Sequence, residues 1–160
     1  MSATPHIFPA GPKRSVQIAE LYCMAAGRVA DYMRSGLVEG NETMIDVGTR
    51  RLALTGEDYS FENCTMAAAD GQIAGVIYAY TLREGMEIEP NCGLVTWPYT
   101  ELEQVPSLYI AGIAFHLTQR GRTIGKAFLN AFAERHVNSA LNQHSLLQYA
   151  SDALLMVRIL

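Results

Sequence analysis

The sequence is short of the residues that mark disulfide-rich, metal-binding and membrane-spanning proteins. Its 160 residues include only three cysteines, Cys23, Cys64 and Cys92, which lie far apart and show no Cys-x-x-Cys spacing. A small, odd number of separated cysteines predicts free thiols in a reducing compartment, so we expect a cytoplasmic location. Residues 1–15 lack the apolar segment of a signal peptide, and no hydrophobic run is long enough to cross a bilayer. Membranes are therefore not expected as partners.

Positive charge is scarce as well. The chain has two lysines against ten arginines and a formal net charge of −4, which does not favour binding to nucleic acid. The four histidines show no metal-ligand spacing, so no metal site is predicted. The composition that remains, 49% hydrophobic and 18% charged, is typical of a soluble globular protein. The length predicts a single domain over residues 1–160.

The stretch 107–129 is the most informative part of the chain. Residues 107–115 are apolar on both faces, which predicts a strand covered on both sides. A polar turn follows at 116–122, and from Ile124 the apolar residues repeat at helical spacing. The free amides and the dipole at such a helix start favour a bound anion. Full positive charges stand beside it at Arg120, Arg122 and Lys126. This pattern predicts a phosphate-binding turn.

A hairpin precedes this stretch. Thr65 to Ala69 and Gln72 to Leu82 read as strands on either side of Asp70-Gly71, the dipeptide that suits a type I′ turn. Cys64, at the start of this apolar segment, is expected to be a small core residue rather than a nucleophile. His6 to Phe8, followed by a proline, predicts a short strand at a sheet edge or strand end.

Two helical segments are predicted in the first third of the chain. The first runs from Ser15, a plausible N-cap, to Gly36, and Gly27 is expected to divide it. Its tyrosines and methionines, including Tyr32 and Met33, are expected to lie in the core. A weaker pattern predicts a helix within 41–54.

The turn resembles the acetyl-CoA-binding motif of the GNAT superfamily of N-acetyltransferases. That motif has an apolar residue, four variable residues, Arg or Gln, two variable residues, Gly, one more residue, and Gly or Ala. Here Phe115 is followed by HLTQ, and then come Arg120, Gly121-Arg122, Thr123, Ile124 and Gly125. Thr123 stands where the family usually has its middle Gly, and a Cβ at that place is expected to crowd the pyrophosphate.

The resemblance implies an α/β (α+β) fold with a mixed, mostly antiparallel sheet flanked by helices. It implies transfer of an acetyl group from acetyl-CoA to a primary amine of a small molecule or peptide. The coenzyme would be held by the end of the strand, the turn and the helix start. These residues are Ile113, Ala114, Phe115, Arg120, Gly121, Arg122, Thr123, Ile124, Gly125 and Lys126.

The resemblance gives less guidance on proton transfer. Tyr149 is the nearest candidate for the family's thiolate-protonating tyrosine, and Tyr109 is the next. The base could be Glu101, Glu103 or Glu62, acting through a water. The chain after residue 149 is about two strands shorter than the family pattern and ends in the apolar LLMVRIL, so we expect a homodimer.

Two other hypotheses stay open from the sequence. One is a catalytically weak domain of the same fold that binds CoA or acyl-CoA as a regulatory module. The other is a nucleotide or phosphate-ester binding protein unrelated to acetyl transfer, favoured only by the general anion-binding property of a helix start.

Overall fold

A four-stranded antiparallel sheet forms the centre of the protein. The computed structural model describes residues 5–85, 107–121 and 123–137. The strands follow one another across the sheet in chain order, and neighbouring strands pair antiparallel. They are β1 (His6–Pro9), β2 (Cys64–Ala69), β3 (Gln72–Leu82) and β4 (Ser107–Phe115).

Helices cover both faces of this sheet. They are α1 (Ser15–Ala26), α2 (Arg28–Ser35), α3 (Met44–Leu52) and α4 (Ile124–Val137). Side chains of α1 and α3 pack with Met66, Val76 and Ala114 on one face of the sheet, which we call the α1 face. Side chains of α4 pack with Ala67, Ile77 and Ile110 on the opposite face, the α4 face. None of the helices in the described parts of the chain combines the length and hydrophobicity needed to span a membrane. The predicted α+β class is confirmed, and the described sheet is entirely antiparallel.

The hairpin prediction is confirmed in both its strands and its turn. Asp70 and Gly71 have φ values of 52° and 75°, the left-handed conformations that a type I′ turn requires. Within the described sheet, β1 lies at the edge, as the proline that ends it predicts. The break in the first helical segment is also confirmed: Gly27 separates α1 from α2 and has φ 51°.

That break overturns part of the predicted core. Tyr32 and Met33 are 53% and 42% exposed, whereas Ala30 and Arg34 are buried. The helical spacing counted from α1 does not continue into α2, because the backbone of Gly27 leaves the helical conformation and α2 restarts with a different phase. The expectation that these two side chains lie in the core is wrong.

One predicted helix start needs correction, and a second predicted helix is confirmed. Ser15 is the first residue of α1, and its Oγ donates a hydrogen bond to the carbonyl of Pro12 at 2.8 Å rather than capping the helix. The helix predicted within 41–54 runs from Met44 to Leu52, and Thr43 and Asp46 form a capping box at its start. Each of these two residues accepts a bond from the other's backbone N–H, which fixes the start there.

Candidate active site

The predicted phosphate-binding turn joins β4 to α4. β4 ends at Phe115, and the amide of His116 donates to the carbonyl of Ala74 at 2.8 Å, so the end of the strand is still anchored to β3. A single 3₁₀ turn, Leu117–Gln119, then leads to Arg120. The side chain of Arg120 is exposed, and its Nε donates a long 3.4 Å hydrogen bond to the carbonyl of Phe115. The guanidinium is therefore kept close to the strand end.

Two residues of the turn have left-handed backbone conformations. Gly121 has φ 75°, and no heavy atom of the described residues lies within 4 Å of the position its Cβ would take. This leaves open space above the peptide. Thr123 has φ 61°, which is unusual for a β-branched residue and costs energy. Thr123 therefore combines a backbone conformation typical of Gly with a threonine side chain.

The start of α4 presents its first amides without an acidic neighbour. The first helical bond runs from the Ala127 amide to the Thr123 carbonyl at 3.1 Å, so the amides of residues 124–126 precede the ladder. The first turn of the helix contains no acidic residue, and the Lys126 side chain is exposed. The amides, the helix dipole and two cations, Arg120 and Lys126, make this an electrostatically favourable place for a phosphate.

Phe115 fixes α4 against β4. Its ring meets the Phe128 ring edge to face at 5.9 Å between centroids. A Cβ on Gly125 would come within 3.4 Å of the Phe115 ring, so the helix start approaches the strand closely at this glycine. Ile124 and Phe128 are buried on the α4 face. Core packing therefore helps to fix the position of the turn.

β4 carries an irregularity next to the residues predicted to hold the coenzyme. Tyr78 pairs with Gly112 and Ala79 pairs with Ile110, which leaves Ala111 as an extra residue in β4. Such a bulge bends a strand and changes the direction of its peptide groups. The predicted contact residues follow it, with Ile113 and Phe115 toward the α4 face and Ala114 buried on the α1 face.

An aromatic cluster lies over this part of β4 on the α1 face, and the sequence did not reveal it. The Tyr22 ring lies 3.2 Å from the place that a Cβ of Gly112 would occupy. Edge-to-face contacts join this ring to Tyr59 and Tyr78 at 5.6 and 6.1 Å. Tyr78 donates to the carbonyl of Asp58 at 2.6 Å, and burial raises its pKa. The glycine is what lets Tyr22 approach the strand.

Arg34 supports the same cluster from α2 and is only 3% exposed. Its guanidinium donates to the Tyr59 hydroxyl at 2.7 Å, to Cys23 Sγ at 2.8 Å and to the Met44 carbonyl at 3.2 Å. Burial is the largest single influence and lowers the pKa of Arg34, but the hydrogen bond to Tyr59 and the further interactions with Tyr59 and Cys23 together raise it above its usual value. Arg34 therefore stays charged and holds three separate segments together.

Most of the predicted proton-transfer residues lie outside the part of the chain that the structure describes. Tyr149, Glu101 and Glu103 lie outside the described residues, as do Arg122, the predicted strand at 144–149 and the apolar C-terminal segment. Tyr109 is buried on β4 against Tyr80, with ring centroids 5.4 Å apart. Glu62 is exposed, and its carboxylate accepts a hydrogen bond from the Gly56 amide at 2.8 Å.

The cysteine prediction can be tested at two positions. Cys23 and Cys64 are both free thiols. Cys64 is 2% exposed, and burial raises its pKa to about 12, so it is protonated at neutral pH. Its assignment to the core is confirmed. Within the ranges that the structure describes, no group of three His, Cys, Asp or Glu side chains is arranged to hold a metal ion.

Comparison with known proteins places the fold. No protein-family model matches the sequence, and no curated protein is significantly similar to it. Solved structures do match. An N-acetyltransferase from Staphylococcus aureus Mu50 is 19% identical, with 81% of this chain and 75% of that one covered at a TM-score of 0.54. A structure described as an acetyltransferase is also 19% identical, with 84% and 75% covered at a TM-score of 0.58. The chain has the fold of these acetyltransferases, as the resemblance predicted.

Proposed function

We propose that this protein is an N-acetyltransferase that transfers the acetyl group of acetyl-CoA directly to a primary amine of a small molecule or peptide. The observation that carries the proposal is the unit formed by β4, the turn and α4. In this unit an open helix start, with Arg120 and Lys126 beside it, follows a strand in a fold shared with acetyltransferases. Acetyl-CoA needs a pyrophosphate site of this kind.

The space at Gly121 and the charges of the turn support a pyrophosphate site there. Gly121 leaves space for close approach, and the helix amides beyond Thr123 can donate to phosphate oxygens. Arg120 and Lys126 would balance the negative charge, with Arg122 as a third cation in the proposal. When bound, the coenzyme supplies an acetyl thioester, whose carbonyl an amine can attack.

The strand would hold the rest of the coenzyme. β3 pairs with one edge of β4, and we assign the other edge, at Ile113, Ala114 and Phe115, to the pantetheine arm. Main-chain bonds there would fix the thioester relative to an incoming amine, and positioning of two reactants is itself a large part of catalysis. The bulge at Ala111 precedes these residues in β4. It would change the direction of the peptide groups that face the reacting carbonyl.

Two proton transfers complete the reaction. The ammonium group of the acceptor must lose a proton before it attacks, and the departing thiolate must gain one. We assign the first step to Glu101, acting through a water, and the second to Tyr149. The first assignment can be tested through the pH dependence of kcat/KM, because Glu101→Gln would remove an ionisation from the acidic limb. The second can be tested through kcat, which Tyr149→Phe would lower.

Release of the CoA thiol in the presence of acetyl-CoA and a panel of primary amines tests the proposal. The panel should contain polyamines, aminoglycosides, amino acids and peptides with free N-termini. We expect amine-dependent release by the wild type and a strong loss in Arg120→Ala. Arg28→Ala, which removes an exposed arginine from α2, is the matched control and should leave release unchanged. Release that does not depend on any amine would contradict the proposal.

A second candidate function is a CoA-binding or acyl-CoA-binding regulatory module of the same fold. The strained threonine in the turn favours it, since Thr123 places a Cβ at φ 61° where the coenzyme would approach. Coenzyme binding without transfer to any member of the panel would support this alternative. The cytoplasmic location and the homodimer stay predictions; sedimentation velocity would test the homodimer.

A further inference from the structure

A cavity of about 740 Å³ opens on the α1 face, next to the end of β4. It lies between β1, α1, the β2–β3 turn and His116 at the end of β4. Its volume is in the range of small-molecule sites. None of the residues that we assign to acetyl-CoA lines it. A ligand could therefore occupy this cavity independently of the coenzyme.

One wall of the cavity is aromatic. His6 and Phe8 stand on the same face of β1, and their rings stack with centroids 5.3 Å apart and planes 22° apart. Ile7 between them packs toward the α4 face, as the alternation of a strand requires. Leu21 and Ile73 add apolar surface. This combination suits a flat apolar ring.

The opposite wall carries charges of both signs on one face of α1 and the turn before it. Arg14, Gln17 and Leu21 follow helical spacing, and Glu20 lies one turn after Gln17. Arg14 Nη1 donates to Gln17 Oε1 at 2.8 Å, which orients the guanidinium along this wall. Glu20 lies six positions after Arg14, about 9 Å along the helix axis, so the cation and the carboxylate mark two ends of the cavity.

We propose that this cavity binds a free aromatic amino acid. Its ring would lie against His6 and Phe8, its carboxylate would bind the Arg14 guanidinium, and its ammonium group would face Glu20. A guanidinium binds a carboxylate through two parallel hydrogen bonds, and a carboxylate on the other side rejects ligands that carry only negative charge.

Titration of the full-length protein with tryptophan, monitored through the histidine imidazole NMR signals, tests this inference. We expect the His6 and His116 signals to shift during the titration, since both rings line the cavity. Tryptamine, which lacks the carboxylate, and indole-3-propionate, which lacks the amine, should each bind about tenfold more weakly. Tighter binding of either comparator than of tryptophan, or no shift of these two signals, would overturn the proposal.

Variants of Arg14 and Glu20 test whether tryptophan binds in this cavity. Arg14→Gln and Glu20→Gln alter exposed side chains, and each should weaken tryptophan binding by about tenfold. Arg28→Gln on α2 is the matched control and should bind tryptophan as the wild type does. Saturating acetyl-CoA should leave tryptophan binding in place, and competition between them would show that tryptophan occupies the coenzyme site instead. The inference does not rest on acetyl transfer, so a failure of either proposal leaves the other testable.

Discussion

The starts of α3 and α4 have the same sequence spacing but different chemistry. In α3, Thr43 is followed three residues later by Asp46, and in α4, Thr123 is followed three residues later by Lys126. Thr43 has the extended conformation of an ordinary N-cap, with φ −81° and ψ 166°. Thr123 instead has φ 61°. One helix start is closed by its own side chains, whereas the other combines exposed cations with a strained backbone.

The closed start uses the carboxylate that a ligand would otherwise provide. One oxygen of Asp46 accepts from the Thr43 amide at 2.8 Å and from its hydroxyl at 2.7 Å, and these bonds lower the pKa of Asp46. α4 has no acidic residue in its first turn. The start of α4 is therefore a candidate anion site, because no acidic side chain of its first turn caps the amides, whereas Asp46 caps the start of α3.

Replacing Lys126 by Asp would give α4 the Thr-x-x-Asp sequence that starts α3, and we expect the largest effect from this change. The new carboxylate would accept from the exposed amides and repel the pyrophosphate. Acetyl-CoA affinity should fall roughly 100-fold while the melting temperature stays the same or rises. Calorimetric titration and thermal unfolding measure the two quantities.

Lys126→Gln is the control for this reversal. It removes the positive charge without adding a negative one, so affinity should fall only about tenfold. Equal affinities of the two variants and the wild type would mean that the start of α4 does not hold the coenzyme.

The complementary experiment removes the capping side chain at the start of α3. Thr43→Ala should lower the melting temperature by roughly 2–4 °C, because an N-cap is lost in a domain of this size. Acetyl-CoA affinity should not change, since α3 lies on the α1 face and not at the turn. A loss of affinity at unchanged stability would break the distinction between the two helix starts.

The pH dependence of stability should show the role of Asp46. Its pKa is lowered in the folded protein, so its contribution is present above the unfolded pKa of about 4 and is lost as the pH falls through the folded value. Urea unfolding of Asp46→Asn and the wild type should therefore differ at pH 7 and converge at low pH. A difference that stays constant down to pH 2 would contradict the assignment of the lowered pKa to the capping box.

The smallest effect is expected from Thr123→Gly. Glycine accepts φ 61° without strain, so affinity for acetyl-CoA should rise a few-fold and stability should change by less than about 1 kcal/mol. Thr123→Ala is the control, because it keeps a Cβ in the same conformation. If alanine improves affinity as much as glycine does, the threonine γ atoms rather than the backbone strain limit binding.

Much of the fold followed from local patterns. The Asp70-Gly71 turn, the apolar stretch of β4 and the helical spacing from Ile124 each predicted an element that the structure contains. These signals work because turn conformation and burial on both faces restrict which residues can occur. The same reasoning predicted a phosphate-binding turn between β4 and α4, since its glycine and arginines are neighbours in the chain; that role stays a prediction.

Features that depend on distant contacts were not predictable. Arg34 is buried by partners 10, 11 and 25 residues away, so its spacing alone gave no sign of its role. The contact of Tyr22 with Gly112 joins α1 to β4 and is invisible to any local window. The phase change at Gly27 likewise depends on a single backbone conformation, which the sequence located but whose effect on Tyr32 it did not indicate.

The most direct test of the account is a calorimetric titration of acetyl-CoA into the wild type, Arg120→Ala and the control Arg28→Ala. We expect saturable binding to the wild type and the control, and at least about tenfold weaker binding to Arg120→Ala. Equal binding by all three proteins would contradict placement of the pyrophosphate at the β4–α4 turn, and no binding by the wild type would contradict the proposed function itself.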